Sequence, residues 1–217
     1  MIVDLNIQNK IVIVIGGGNE AEKRINSLLK QNCKILVISD SSSTSINKLA
    51  KLKKIKLIKE KIQNTKFISK LKPHMIITTT NDKKINQMII NEAKRKKIIT
   101  YSSDNPEESD FSNPAIIDFD NTIQIAIFTG GQSPLMSKEI KNKSKKVLKK
   151  IITKEIISQI KIQKIARKFS KESIPSYIQR RECLRKITSD NEIDQLIKDG
   201  QVNKAEKRAI TIIRDWK

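Results

Sequence analysis

The fold is decided by the stretch IVIVIGGGNEA at residues 11–21. Its first five residues are apolar and β-branched, a composition typical of a strand buried on both faces of a parallel sheet. Three glycines end the strand, and Ala21, Ile25 and Leu28 then follow at helical spacing. The pattern predicts a strand, a tight turn and a helix, which is the first half of a βαβ unit.

Apolar runs and amphipathic segments go on alternating through the first half of the chain. Further strands are expected at 34–38, 55–58, 75–79 and 97–101, with helices at 19–31, 41–52, 65–71 and 81–96. Alternating strands and helices indicate a doubly wound α/β sheet with right-handed crossovers. We therefore predict the α/β fold class, with a Rossmann-type parallel sheet in a domain that spans residues 1–112.

The pattern changes after residue 112. Two strands are expected at 115–117 and 122–127, then a helix from Leu135, so residues 113–148 form a small β/α region. Helical spacing continues to the C-terminus and predicts a helical domain over 149–217. The strand 122–127 and an Ile-rich helix at 151–169 would expose more apolar surface than one small domain covers. We therefore expect a symmetric homodimer that buries both of these segments.

The charge of the chain restricts its partners. It has 44 Lys and Arg residues against 23 Asp and Glu, a net charge of +21, which favours polyanionic partners. Lysine, isoleucine and asparagine are abundant together, so a biased codon supply is an alternative origin of most of the lysines. Aromatic residues make up only 4% of the chain, too few for the stacking platforms of single-strand binders, and we expect no nucleic-acid partner.

Membrane and metal classes are disfavoured as well. No apolar run approaches the roughly 20 residues of a transmembrane helix, and the N-terminus lacks the features of a signal peptide. We expect a cytoplasmic protein without a membrane partner. Cys33, Cys183 and the single histidine, His74, are too few for a zinc site of about four ligands, so no metal site is predicted. The two distant cysteines are expected to be free thiols.

The glycine triplet fits the pattern G-x-G-x-x-A between a strand and a helix, where dinucleotide-binding folds carry it. Gly16 would form the tight turn, and Gly18 would let the backbone approach a pyrophosphate at the helix N-terminus. A tight turn without a ligand is the alternative. The predicted NAD-binding residues of this loop are Gly16, Gly17, Gly18, Asn19 and Glu20.

Polar residues follow two other predicted strands at the same edge of the sheet. Asp40 lies 22 residues beyond Gly18, where an acidic side chain bonds the adenine ribose and selects NAD over NADP. A helix cap or a loop carboxylate is the alternative, because serines occupy 41–43. Thr80 and Asn81 follow the fourth strand and are predicted to flank the cofactor, with an N-cap as the alternative.

Four motifs succeed one another between residues 3 and 140. They are Gly16-Gly17-Gly18-x-x-Ala21-x-Lys23-Arg24, Thr80-Asn81-Asp82-x-x-x-Asn86, Asp104-x-Pro106-x-x-x-Asp110-Phe111-x-x-Pro114-Ala115 and Ile125-Ala126-Ile127-x-Thr129-Gly130-Gly131-x-Ser133-Pro134. In this order and spacing they closely resemble the precorrin-2 dehydrogenase family, the NAD-dependent part of siroheme synthase. Residues 149–217 are similar to the family only in being helical.

The resemblance implies a homodimer with a Rossmann domain, a dimerisation region at 113–148 that exchanges contacts between subunits and a helical domain. It implies oxidation of precorrin-2 to sirohydrochlorin with NAD, and some members of the family also insert ferrous iron. The key catalytic aspartate of the family corresponds to Asp104. The serine of the last motif, near the tetrapyrrole, corresponds to Ser133, with Gly130 and Gly131 in the same predicted substrate-binding loop.

The residues themselves are consistent with that role for Asp104. It follows the strand 97–101 at the carboxyl edge of the sheet, where one positioned carboxylate can act as a base in a dehydrogenation. An Asx-turn at Asp104-Asn105-Pro106 is the alternative. Where many family members have an asparagine, this chain has Tyr101.

Two further functions stay open. An NAD-binding regulatory module without catalytic activity would share the βαβ start and the acidic residue at position 40. It would not explain Asp104-x-Pro106 or the motif at 129–134. The high positive charge also leaves a basic nucleic-acid-binding protein with a helical tail as a third hypothesis.

Overall fold

The computed structural model describes residues 2–216, and the chain divides into two compact units, Met1–Asn113 and Pro114–Lys217. The first unit contains β1 (Ile11–Ile15), α1 (Asn19–Leu28), β2 (Lys34–Ser39), α2 (Thr44–Lys51), β3 (Lys56–Lys59), α3 (Lys66–Leu71), β4 (Met75–Thr78), α4 (Lys83–Arg95) and β5 (Ile99–Ser102). The second contains β6 (Ala115–Phe119), β7 (Ile123–Ile127), α5 (Pro134–Ile151), α6 (Lys154–Ser173), α7 (Tyr177–Thr188), α8 (Asn191–Lys198) and α9 (Val202–Arg214).

The first unit is built on a parallel sheet of five strands in the order β3-β2-β1-β4-β5. β1 lies at the centre and pairs with β2 on one side, with Ile15 opposite Ile38, and with β4 on the other, with Ile15 opposite Thr78. The strand order reverses at β1, and the carboxyl ends of β1 and β4 therefore border the crevice where such sheets bind ligands. The predicted α/β fold is confirmed.

Both faces of the sheet are buried, and residues of β1 alternate between them. Val12 and Val14 pack in one apolar cluster with Ile25 of α1, whereas Ile13 and Ile15 pack in a second cluster that includes Ile89 of α4. This alternation is the period-two orientation of side chains in a strand. It explains why β1 has no polar residue, since neither face of the strand meets water.

The second unit begins with an antiparallel hairpin of β6 and β7, and five helices follow it in the part that the structure describes, up to residue 216. Its apolar core is formed by α6 to α9, and α6 packs against α7 and α9. Ile162 and Ala166 of α6 face that core, as does Cys183 of α7. The predicted boundary between 148 and 149 falls inside α5, and the subdivision of this unit stays a prediction.

Several predicted ends of elements differ from the structure. The helix expected at 41–52 begins at Thr44 with Ser43 as its N-cap, and the helix expected at 81–96 begins at Lys83 with Asp82 as its N-cap. Side-chain hydrogen bonds over three residues decide both ends, and the apolar periodicity does not report them.

Two other features of the described residues concern membrane-spanning helices and the two cysteines. No helix within residues 2–216 has the length and apolar composition needed to cross a bilayer. Cys33 and Cys183 are both free thiols, as predicted, and burial raises the pKa of each thiol above its ordinary value. Raised thiol pKa values disfavour the reactive thiolate form.

Candidate active site

A cleft of about 620 Å³ lies at the carboxyl edge of the parallel sheet in the first unit. It is bordered by the loops after β1, β2, β3 and β4. Every residue that the sequence predicted to bind the cofactor lines this cleft: Gly16, Gly17, Gly18, Asn19, Glu20, Asp40, Thr80 and Asn81. The structure therefore brings together eight residues spread over 66 positions of the chain.

Each of the three glycines meets a different constraint. Gly16 has φ +109°, which L side chains rarely adopt, and a Cβ there would lie 2.6 Å from Thr79 Oγ1. A Cβ on Gly17 would lie 2.1 Å from the carbonyl oxygen of Ser41. A Cβ on Gly18 would have no neighbour within 4 Å. The glycine at position 18 is thus not required by packing among the described residues.

The N-terminus of α1 opens onto the cleft. Gly18 is its N-cap residue, and no side chain caps it, so the first amides of the helix are available to an anion. Glu20 lies in this first turn and bonds Lys23 and Arg24. Burial raises the pKa of the Glu20 carboxyl, but these two cations outweigh it and hold that pKa below its ordinary value. The pairing also reduces repulsion between Glu20 and a phosphate.

Asp40 stands at the exposed rim of the cleft. Its Oδ1 accepts a hydrogen bond from the backbone amide of Ser41 at 2.8 Å. The N-cap of α2 is Ser43, whose hydroxyl accepts from the Ile46 amide, so the helix-cap alternative for Asp40 is wrong. Lys61, after β3, lies in the same lining and is a charge of opposite sign.

The loop after β4 combines the two roles that the sequence left open. Asp82 caps α4 by accepting a hydrogen bond from the Ile85 amide at 3.1 Å. Thr80 is not the cap; its Oγ1 donates a hydrogen bond to Oδ1 of Asn86 in α4 at 2.6 Å. Thr80 and Asn81 both line the cleft, as predicted from the sequence.

Asp104 lies two residues beyond β5 and is held by two donors. Its Oδ1 accepts from Ser102 Oγ at 2.7 Å and from Asn86 Nδ2 at 2.9 Å. Ser102 Oγ in turn lies 3.0 Å from Thr78 Oγ1, and since Ser102 donates to Asp104, Thr78 is the donor in that pair. The other oxygen, Oδ2, has no hydrogen-bond partner within residues 2–216.

Asn86 is the residue whose role the sequence analysis missed. It is only 1% exposed, and its Nδ2 donates both to Asp104 and to the carbonyl oxygen of Thr80 at 2.9 Å. The side chain therefore joins the cleft-lining loop after β4 to the carboxylate after β5. Its place in the second motif was visible, but a polar residue on a helix usually faces water, and only the fold shows that Asn86 is buried.

The loop after β5 is fixed by further bonds to the sheet. Asp110 Oδ2 accepts from the backbone amide of Thr100 at 2.7 Å and from its hydroxyl at 2.8 Å. Arg24 donates a hydrogen bond to the hydroxyl of Tyr101 at 2.9 Å, and its Cζ lies over the Tyr101 ring, 4.6 Å from the ring centroid. These contacts anchor both flanks of the segment that carries Asp104.

The predicted substrate loop belongs to the second unit. Ser133 is the N-cap of α5, where its hydroxyl accepts a hydrogen bond from the Met136 amide at 3.2 Å. Gly130 and Gly131 have φ +64° and +80°, and a Cβ on Gly131 would meet nothing within 4 Å. The positive φ angles account for both glycines by turn geometry. The predicted contacts of Ser133, Gly130 and Gly131 with substrate stay predictions.

His74 lies at the opposite end of the sheet from the cleft. Its backbone amide donates to the carbonyl oxygen of Ile11, at the start of β1. Among residues 2–216, no group of three or more His, Cys, Asp or Glu side chains is placed to hold a metal ion. His74 is therefore separated from the cleft by the length of a strand.

Known proteins are similar to this chain in sequence or in fold. Siroheme synthases from Actinobacillus pleuropneumoniae serotype 3 and Blochmanniella floridana are 24% and 29% identical to it over 202 residues. Each match covers 93% of this chain but only 40% and 42% of the relative, so the chain spans about two fifths of their length. The solved structure of SirC, described as a precorrin-2 dehydrogenase, has a TM-score of 0.69 at 21% identity and covers 96% of this chain and 99% of that one.

Residues 3–115 match a family model described as putative NAD(P)-binding. The match comprises the whole parallel sheet and the cleft at its carboxyl edge, and it extends over slightly more than half of the chain. The protein therefore belongs to this family of NAD(P)-binding proteins.

Proposed function

We propose that this protein oxidises precorrin-2 to sirohydrochlorin with NAD as the oxidant. The observation that carries the proposal is the carboxylate of Asp104, held by Asn86 and Ser102 next to the loop that lines the dinucleotide cleft. The names of the relatives and of the structural neighbour support the same reaction.

The cleft fits a dinucleotide by its own geometry. The open space over Gly18 and the uncapped N-terminus of α1 suit a pyrophosphate, which needs backbone amides and no side chain. Asp40 suits the hydroxyls of the adenine ribose at the far rim. When bound, NAD supplies a hydride acceptor, so that dehydrogenation of a carbon skeleton becomes possible.

Asp104 would take the proton that the oxidation releases. Removal of two hydrogens from precorrin-2 transfers one as a hydride and leaves the other as a proton. Ser102 and Asn86 occupy Oδ1 of Asp104, and the bonds fix the plane of the carboxylate. Oδ2 is left to accept the proton, because it has no partner among the described residues.

The charge of the protein supports a polycarboxylate substrate. Precorrin-2 carries many carboxylates, and the chain has a net charge of +21. Such a field increases the encounter rate with an anionic ligand. No observation within residues 2–216 favours iron insertion, and the proposal is confined to the dehydrogenation.

The direct test is a turnover assay with the purified protein. Precorrin-2 and NAD are mixed with it, and the absorbance of sirohydrochlorin is followed together with that of NADH. We expect sirohydrochlorin and NADH to form in equal amounts. Binding of NAD without any turnover would overturn the dehydrogenase and favour the regulatory module.

The glycine loop gives the first prediction. Gly18→Val fills the space where the pyrophosphate approaches, so we expect at least tenfold weaker NADH binding with an unchanged melting temperature. Gly17→Ala is the matched variant: its Cβ would clash with Ser41, and overpacking of this kind costs about 1–3 kcal/mol of stability. Titration of NADH fluorescence and thermal melts measure the two effects. Tight NADH binding by Gly18→Val would contradict the site.

The cofactor choice depends on Asp40. Its carboxylate repels the 2′-phosphate of NADP, so we expect kcat/KM to be at least tenfold higher with NAD. Asp40→Asn keeps the bond from the Ser41 amide but removes the charge, and should narrow that ratio. Lys61→Gln removes the opposing cation from the same cleft and should not narrow it. Equal use of both cofactors by the unaltered protein would contradict the role of Asp40.

Asp104→Asn tests the base. Asparagine can still accept from Ser102 and form an Asx-turn, but it cannot take a proton, so kcat should fall about 10²–10⁴-fold while NADH binding persists. Glu107→Gln removes the same charge from the same loop and should leave kcat within about twofold of the unaltered enzyme. Near-normal kcat in folded Asp104→Asn would return the residue to a purely structural role.

A homodimer formed through the second unit is part of the proposal. Its two-stranded sheet is small for independent stability, and α5 leaves Leu135, Val147 and Ile151 exposed. Light scattering at micromolar concentration should give twice the mass of one chain. Val147→Lys with Ile151→Lys should shift the mass towards one chain, whereas Lys145→Glu in the same helix should not. A monomer of the unaltered protein would contradict the dimer.

A further inference from the structure

The second unit contains a cleft that none of the sequence motifs marks. It has a volume of about 1030 Å³ and lies between α6 and α7. Gln163 of α6 spans the two helices, donating to the carbonyl oxygen of Leu184 and to the hydroxyl of Thr188 of α7. The walls are thus fixed by packing and hydrogen bonds within one unit.

The lining is strongly cationic. Seven of its 14 residues are basic, and Glu172 is the single carboxylate among them. The guanidinium groups of Arg167, Arg181 and Arg185 form no hydrogen bond or ion pair within residues 2–216. Cations of like sign that face one cleft repel each other, so the arrangement is favoured once an anion is bound.

The choice of arginine separates this cleft from the general basic character of the chain. The sequence contains only eight arginines among its 44 basic residues, and four of the eight line this cleft: Arg167, Arg180, Arg181 and Arg185. A biased codon supply explains lysine everywhere, but it does not explain arginine gathered in one place. Arginine binds carboxylates through two parallel hydrogen bonds, which lysine cannot do.

The cleft also has an apolar component. Ile160 and Leu184 contribute to its walls, and Tyr177 stands at its edge, 71% exposed. A ligand with a flat apolar body and several carboxylates at its periphery matches both parts. A single-stranded nucleic acid matches less well, because Tyr177 is the one aromatic residue in the lining and stacking platforms use several.

We propose that the cleft between α6 and α7 is a binding site for a polycarboxylate tetrapyrrole, held by the forked hydrogen bonds of Arg167, Arg181 and Arg185. Arg180 has another task, because its Nη1 donates to the carbonyl oxygens of Ile174 and Pro175 and so fixes the turn between the helices. The identity of the ligand rests on the proposed function, whereas the anion site rests on the cleft alone.

The test is a fluorescence titration of uroporphyrin, an octacarboxylate tetrapyrrole, into the full chain without NAD. Replacing Arg167, Arg181 and Arg185 together by glutamine should weaken binding at least tenfold at physiological salt, since charge-assisted bonds are lost. The matched control replaces Lys145, Lys146 and Lys149 of α5, which are exposed and lie outside the lining, and should change the affinity less than twofold. Equal weakening in both variants would overturn the site in favour of general charge attraction.

A second variant separates geometry from charge. Arginine to lysine at the same three positions keeps the net charge but removes the fork, and the affinity for uroporphyrin should still fall several-fold. An unchanged affinity would overturn the forked recognition. Circular dichroism melts of each variant show that α6 and α7 remain folded.

Other anions and the catalytic assay complete the test. Tripolyphosphate and a single-stranded oligonucleotide are titrated in parallel, and tighter, arginine-dependent binding of either one would overturn the tetrapyrrole as the ligand. Failure of the turnover assay with arginine-dependent binding intact would overturn the proposed dehydrogenase alone, and turnover without that binding would overturn the cleft alone.

Discussion

The arrangement of the site depends on the hydrogen bonds of one buried amide. Asn86 is removed from water, and each of its polar atoms must find a partner inside the protein or cost about 1–3 kcal/mol. Its partners are Thr80 on the loop after β4 and Asp104 on the loop after β5. The same side chain that satisfies its own hydrogen bonds therefore sets the distance between the two loops.

This bridge is possible because β4 and β5 are parallel neighbours. Their pairing places Thr78 opposite Ser102, so the two strands end side by side and the loops that follow them start at the same edge of the sheet. Thr78 then donates to Ser102, and Ser102 donates to Asp104. Both hydroxyls are buried, but each forms hydrogen bonds. The polar network therefore fixes the side chains of the site without the free-energy cost of unpaired buried groups.

The sequence predicted the sheet well because its signals are local. The apolar run of β1, the glycines after it and the helical spacing of Ile25 and Leu28 each act over a few residues. The cleft residues followed from the same logic, since strands that are parallel end at one edge. The role of Asn86 could not be predicted, because its partners at 80 and 104 meet it only through the crossover of α4. The reason for Gly17 was equally hidden, as the Ser41 carbonyl approaches it from another loop.

Net charge is the property whose meaning depends most on the structure. A value of +21 is consistent both with codon supply and with an anionic ligand, and composition alone cannot separate them. The positions of the charged residues can separate these two explanations, because selection for a ligand acts on where residues lie in the structure. Lysines are spread over both units, whereas half of the arginines line one cleft with a single carboxylate in it. In a chain where arginine is scarce, its position is more informative about binding than the total charge.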